Sequence, residues 1–222
     1  MNINETYLKF LAKVNKNFTN DNIAVDKGRF VLHFNEAQRK YVNWVFSNNN
    51  SSIVRDIQQL LVRNKELEKA VSHDDLDSFT LPKDFFKHVN VRVKGKSGSC
   101  HRYLDVAHEV KSEDVHELYN DEFNEPSLKY SETFYTFGGN KIEVYKKGFD
   151  ISDVFLTYYR FPIPVDIEGY IKIDGSMSSN IDSEFDDETV DKILDICVKD
   201  FGVNTENLNR HQVDARQVIS TV

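Results

Sequence analysis

The hydrophobic period of this 222-residue chain changes twice, and that limits the folds open to it. Toward the end, Val190, Ile193, Leu194, Cys197, Val198 and Phe201 recur at the spacing of one helical stripe, opened by Asp186-Asp187-Glu188 and stopped by Gly202 as a C-cap. Near the start, Tyr7, Phe10, Leu11, Val14 and Phe18 repeat at helical spacing after Asn4, a cap residue. Asn35 and Gln38 fit a capping box for a helix carrying Tyr41, Val42, Val45 and Phe46. Between these two helices, Phe30, Leu32 and Phe34 alternate with Val31 and His33, which suggests a short extended piece. Asn48-Asn49-Asn50-Ser51 interrupts, and Ile53, Ile57, Leu60 and Leu61 then predict a third helix.

From about Ser72 the period becomes two. Val89, Val91 and Val93 alternate with Asn90, Arg92 and Lys94, a half-buried strand, followed by a Gly95–Ser99 loop and a second extended piece over 103–110. Ser112-Glu113-Asp114 starts a short helical turn, and Pro126 closes the loop after it. Phe134–Phe137, Gly138-Gly139-Asn140 and Ile142–Tyr145 read as a hairpin, since glycine and asparagine accept the positive φ of a tight turn. Val154–Phe161 is apolar on both faces, as in a strand covered on two sides, and stops at Pro162 and Pro164. The expected fold is therefore α+β. An N-terminal helical segment spans 1–70, and a central β-rich domain over 74–175 forms an antiparallel β-sandwich or barrel-like sheet. The segment 176–222 supplies a loop, an amphipathic C-terminal helix and a polar tail, packed as one compact unit with the N-terminal helices.

Composition narrows function more than it defines it. The 16 Phe and 10 Tyr suit a ring-rich core and contact surfaces. A net charge of −8 argues against wrapping nucleic acid, which requires clustered cations to displace counterions, but fits a surface along which DNA slides. No secretory signal and no membrane-length apolar run are expected. Cys100 and Cys197 are too few for a disulfide framework or a zinc site, so reduced thiols are expected, with Cys197 buried.

No catalytic or metal motif survives its own requirements. Gly95-Lys96-Ser97 echoes a phosphate-binding loop, but Asn90 stands where that loop needs glycine and no helix follows. Asp182, Glu184, Asp186, Asp187 and Glu188 lack the central glycine of a calcium loop and suit a helix start instead. His101, Asp105 and His108 make neither a triad nor a zinc set, and His33, His73, His88, His116 and His211 are scattered. Tyr158, Tyr159, Arg160 and Phe161 resemble a base-stacking platform, yet Asp153, Asp166 and Glu168 remove the basic groove it needs. We therefore read these four, with Arg210 and Arg216 of the polar tail, as a candidate protein interface, with Arg160 facing a carboxylate across a subunit boundary. No cofactor is expected.

The order of segments resembles a structural neck protein of crAss-like and related tailed bacteriophages. The resemblance runs through Arg29-Phe30-Val31-Leu32, Asn35-Glu36-Ala37-Gln38, Asp56-Ile57-Gln58-Gln59-Leu60-Leu61 and Glu132-Thr133-Phe134-Tyr135. It continues in Leu156-Thr157-Tyr158-Tyr159-Arg160, Pro164-Val165-Asp166-Ile167-Glu168-Gly169-Tyr170-Ile171 and Asp182-Ser183-Glu184-Phe185-Asp186-Asp187. The chain departs at Asp182-Ser183-Glu184, where relatives often carry a proline. The resemblance implies a virion head-to-tail connector: a homo-oligomeric ring of about twelve copies around the portal axis, closed by heterologous contacts. Its implied partners are its own copies, the portal protein and other neck and tail proteins, with genomic DNA passing through unread. It implies residence in the virion neck, and in the host cytoplasm before assembly. The reading of another class is a small phage-encoded or host enzyme, hydrolase-like, which requires titratable groups gathered in a concave site.

Overall fold

A computed structural model describes residues 1–17, 25–48, 54–104 and 106–202. The chain is α+β and divides into two compact units, Met1–Gln59 with Pro162–Val222, and Leu60–Phe161. The divisions fall at 59/60 and 161/162, not near 70–74 and 175, because the third expected helix is cut short to a 3₁₀ turn and the chain enters a strand at Leu61. Ile57 and Leu60 are buried in a 3₁₀ turn, Arg55–Leu60, and Leu61–Glu66 leaves it as strand β1. The apolar spacing there fits a helix, but pairing with a strand almost a hundred residues away overrides it.

The first unit is helical where the sequence is most regular. In α1 (Ile3–Asn17), Asn2 rather than Asn4 is the cap, its side-chain oxygen accepting the Asn4 N–H at 2.8 Å. Helix α2 runs unbroken over Lys27–Asn48, so the extended piece expected at Phe30–Phe34 is helix as well. Phe30 and Phe34, one turn apart, are fully buried, while Leu32 between them is 68% exposed. Asp26 caps α2, its carboxylate accepting the Arg29 N–H at 2.9 Å. The C-terminal helix spans 187–202 and buries all six residues of its predicted stripe. Phe10 meets Phe30 at 5.2 Å and Phe201 at 5.7 Å, joining the three helices at one aromatic centre. Lys9 and Lys13 of α1 pair with Asp191 and Asp195 at 3.3 and 2.5 Å, which fixes a parallel register between α1 and the C-terminal helix. Phe18 and the tail from 203 onward lie outside the described residues.

The second unit is a two-sheet β domain. Strands β2 (Lys69–Ser72), β3 (Leu76–Thr80), β4 (Phe85–Ser97), β5 (Cys100–Leu104), β6 (Val106–Glu109), β7 (Glu132–Gly138), β8 (Lys141–Tyr145) and β9 (Asp150–Arg160) follow β1. One sheet has the order β1-β9-β4-β5, the other β2-β3-β8-β7-β6. All pairs are antiparallel except β6–β7, which is parallel and bridged by the short helix α3 (Val115–Asn120). Val91, Val93, Val154, Leu156 and Tyr158 from the first sheet join Phe79, Tyr135, Ile142 and Val144 from the second in one core. The Gly138-Gly139-Asn140 hairpin forms as expected, with Gly139 at φ +59°. Gly95-Lys96-Ser97 is neither a phosphate loop nor a turn. It continues β4, and a Cβ on Gly95 would stand 2.7 Å from the Leu128 side chain.

Candidate functional site

The most unusual surface in the first unit is the hairpin over residues 166–181, which follows the two prolines. Its base is set by α2. The Asn35 side chain spans Val165, accepting its N–H at 2.8 Å and donating to its carbonyl at 3.1 Å, much as a neighbouring strand does. Gln38 braces Asn35 at 3.0 Å and accepts from the Ser183 hydroxyl at 3.1 Å. The Asn35/Gln38 pair thus stands out in the sequence for a reason other than capping. It lies inside a helix and anchors a distant loop.

The hairpin itself is organised by one buried carboxylate. Asp166 is 4% exposed and accepts from the Tyr170 hydroxyl (2.7 Å), the Lys172 ammonium (2.8 Å), the Ile167 N–H (3.0 Å) and the Ser179 N–H (3.1 Å). Burial opposes ionisation, but these donors outweigh it and hold the Asp166 pKa down to about 2. Burial and the same hydrogen bond push Tyr170 up to about 12. The backbone closes by antiparallel bridges at Asp166–Ile181 and Ile171–Met177. At the tip, Asp174 accepts from the Ser176 N–H at 2.9 Å and hydroxyl at 2.6 Å, with Gly175 at φ +81° turning the chain. Gly28 admits the Tyr170 ring against the start of α2, since a Cβ there would meet it at 3.3 Å.

This construction holds apolar side chains in water. Ile171 is 69%, Met177 77% and Ile173 fully exposed. Between the hairpin and the first turns of α2 lies an open cleft of about 800 Å³ lined by Val31, Leu32, Ile171 and Ile173 and by the charged Asp26, Arg29, Lys172 and Asp174. A fixed backbone presenting unpaired apolar residues is suited to a protein contact, because ordering costs are met before the partner arrives.

The expected interface residues fare differently. Tyr158 belongs to the core of the β domain: it is 2% exposed, and its hydroxyl donates to Asp84 at 2.9 Å. Burial and that bond push its pKa to about 12, so Tyr158 is not surface material. Tyr159 is also buried. Arg160 donates to the Phe161 carbonyl at 3.2 Å, and Phe161, 40% exposed, lies 4.8 Å from the Phe86 ring. Arg210 and Arg216 lie outside the described residues. The 166–181 hairpin is not among the interface residues expected from the sequence, although Ile171 and Ile173 alternating before Gly175 are a usable signal.

The other chemical candidates resolve into structural roles. The acidic run is spent on backbone: Asp182 accepts the Ile3 N–H at 2.7 Å, Glu184 the Ile163 N–H at 3.0 Å and Asp186 the Thr189 N–H at 2.8 Å. His101 and His108 stand on strands of different sheets, and Asp105 lies outside the described residues. Among the described residues, no group of three or more His, Cys, Asp or Glu is placed to hold a metal ion. Cys100 and Cys197 are both free, and burial raises the Cys197 thiol to about 12. Among the described residues no helix is long and apolar enough to cross a membrane.

One polar cluster is buried in the β domain. Asp77, fully buried, accepts from Lys146 (2.8 Å), Lys69 (2.7 Å) and Ser72 (2.6 Å). Burial works against the Asp77 carboxylate, yet its two lysines lower its pKa. Lys146 donates to the Ser72 hydroxyl at 3.3 Å as well as to Asp77, so the lysine, the serine and the carboxylate form one hydrogen-bonded cluster. The cluster ties β2 and β3 to the turn after β8.

No known protein-family model matches this chain, and no curated protein sequence matches it.

Proposed function

We propose that this protein is a virion structural component, a ring subunit of a bacteriophage neck that joins portal and head to tail around the DNA exit channel. The observation that carries the reading is the 166–181 hairpin, whose backbone is fixed by buried Asp166 while Ile171, Ile173 and Met177 stand exposed. The cleft beside it is lined by the aliphatic Val31, Leu32, Ile171 and Ile173 together with the charged Asp26, Arg29, Lys172 and Asp174, a mixed lining that suits a protein contact. The segment resemblance supplies the assembly: about twelve copies closing a ring, in contact with portal and with neighbouring neck and tail proteins. In this reading the hairpin and cleft carry the main heterologous contact, and the exposed ring of Phe161 beside Arg160 offers a further one. DNA passes the acidic protein without being read. The subunit resides in the host cytoplasm before assembly and in the virion neck afterwards.

Negative-stain imaging of the purified chain, alone and mixed with portal, tests this directly. Closed rings, or rings seated on portal, are expected. Monomers under both conditions at tens of micromolar would refute it.

A further inference from the structure

We infer that the outer face of the β4–β5 hairpin binds single-stranded nucleic acid without reading its sequence. The inference goes beyond the neck reading and does not rest on it. It concerns the free subunit, and it uses the β domain rather than the 166–181 hairpin.

Local charge here is opposite to that of the whole chain. Residues 85–104 carry Lys87, Arg92, Lys94, Lys96 and Arg102 and no acidic residue, in a protein of net charge −8. Alternation along β4 sorts the middle three. Val91 and Val93 are buried in the core, so Arg92, Lys94 and Lys96 stand in a row on the opposite, outer face of the sheet. Two residues of strand advance about 6.6 Å, so successive cations can meet successive phosphates of an extended strand.

Aromatic rings lie among these cations. Tyr103 of β5, directly opposite Lys94, is 43% exposed. The Arg92 guanidinium and the Lys94 ammonium lie 4.7 and 5.8 Å from its ring centroid. Phe155 of β9, opposite Arg92 and half-buried, places its ring 6.3 Å from that of Tyr103. Unpaired bases stack on rings set in such a surface while their phosphates reach the flanking cations. A duplex keeps its base faces inside, and an acidic peptide would engage the cations without the rings, so the rings favour a single strand over both.

Three carboxylates border the patch. Asp153 pairs with Lys94 at 3.5 Å and accepts from the Ser152 hydroxyl at 2.8 Å. Asp150, opposite Lys96, lies 3.8 Å from the Lys146 ammonium, and Glu66 of β1 is opposite Phe155. They temper the field without reversing it, so binding is expected to be of the weak, salt-sensitive kind.

Fluorescence anisotropy of a labelled oligo(dT) of about 15 nucleotides against the full chain tests this. A dissociation constant on the order of 10 µM at low salt is expected, with a log–log salt slope of about −2 for three phosphates. Tyr103→Ala should weaken binding about tenfold while Tyr103→Phe retains it, and neither should change affinity for a duplex of the same length. Arg92→Gln/Lys96→Gln should weaken binding and bring the slope to about −0.7. Far-UV circular dichroism should match wild type for all three variants, since the altered side chains are exposed. No binding at about 100 µM protein, or wild-type affinity in both Tyr103→Ala and the double variant, would overturn the inference. So would displacement of oligo(dT) by poly-L-glutamate at equal charge, which would assign the face to an acidic protein. None of these results bears on ring formation with portal, which is scored separately by imaging.

Discussion

Replacing Asp166 by asparagine tests the central physical claim, that one ionised carboxylate fixes the hairpin. The side chain keeps its shape, but its single remaining carbonyl oxygen must serve four donors now held at 2.7–3.1 Å. Two of these lose their acceptor, among them the Lys172 ammonium, and a hydrogen bond to a charged group contributes about 1.5–3 kcal/mol. The depressed pKa gives an independent figure. A fall from 3.8 to about 2 corresponds to roughly 2 kcal/mol of pH-linked stability. Because the folded-state pKa lies below the unfolded one, this stability is fully present above the unfolded value near 4. It is lost as pH falls through the folded value near 2. Asp166→Asn should therefore destabilise the protein by about 2–4 kcal/mol at pH 7 in urea denaturation. The gap between variant and wild type should narrow between pH 4 and pH 2. A loss under about 0.5 kcal/mol, or a gap that stays constant over that pH range, would show that the carboxylate does not organise the loop.

Other substitutions test neighbouring arguments. Asp77→Asn removes the nearer charged partner of the buried Lys146, leaving only Asp150 at 3.8 Å, and should cost about 3–5 kcal/mol by chemical denaturation, with much of the loss restored by adding Lys146→Met. Gly95→Ala forces a methyl group to 2.7 Å from Leu128, so a destabilisation of about 1–3 kcal/mol is expected, measured as a lowered thermal midpoint. Ile173→Asp changes a fully exposed side chain and should shift stability by no more than about 0.5 kcal/mol. In sedimentation experiments with portal, it should nonetheless abolish ring formation, and wild-type assembly by this variant would remove the hairpin from the contact.

How far the fold could be read from the sequence depended on whether burial was local. The six-residue stripe from Val190 to Phe201 is a complete statement of one helix face, and all six are buried as the spacing requires. The Phe30–Phe34 stretch offered two periods, and only packing separates them: an alternating strand would hide Leu32 with Phe30 and Phe34, while the helix hides Phe30, Val31 and Phe34 and leaves Leu32 exposed. Tyr158 looked like contact surface because aromatic runs look alike in cores and interfaces; its bond to Asp84, 74 residues away, leaves no mark in local spacing.

The sequence by itself determined the α+β class, the β7–β8 hairpin and the C-terminal helix, because each follows from side-chain period and turn chemistry within a dozen residues. Tertiary structure decided that Leu61–Glu66 is a strand, that Asn35 clasps Val165 and that Asp166 anchors an exposed apolar hairpin. For β1 and Asn35 the deciding partner lies far along the chain, and a pairing across such a distance has no local signature; the donors to Asp166 lie within 13 residues, but only closure of the hairpin brings them onto one carboxylate.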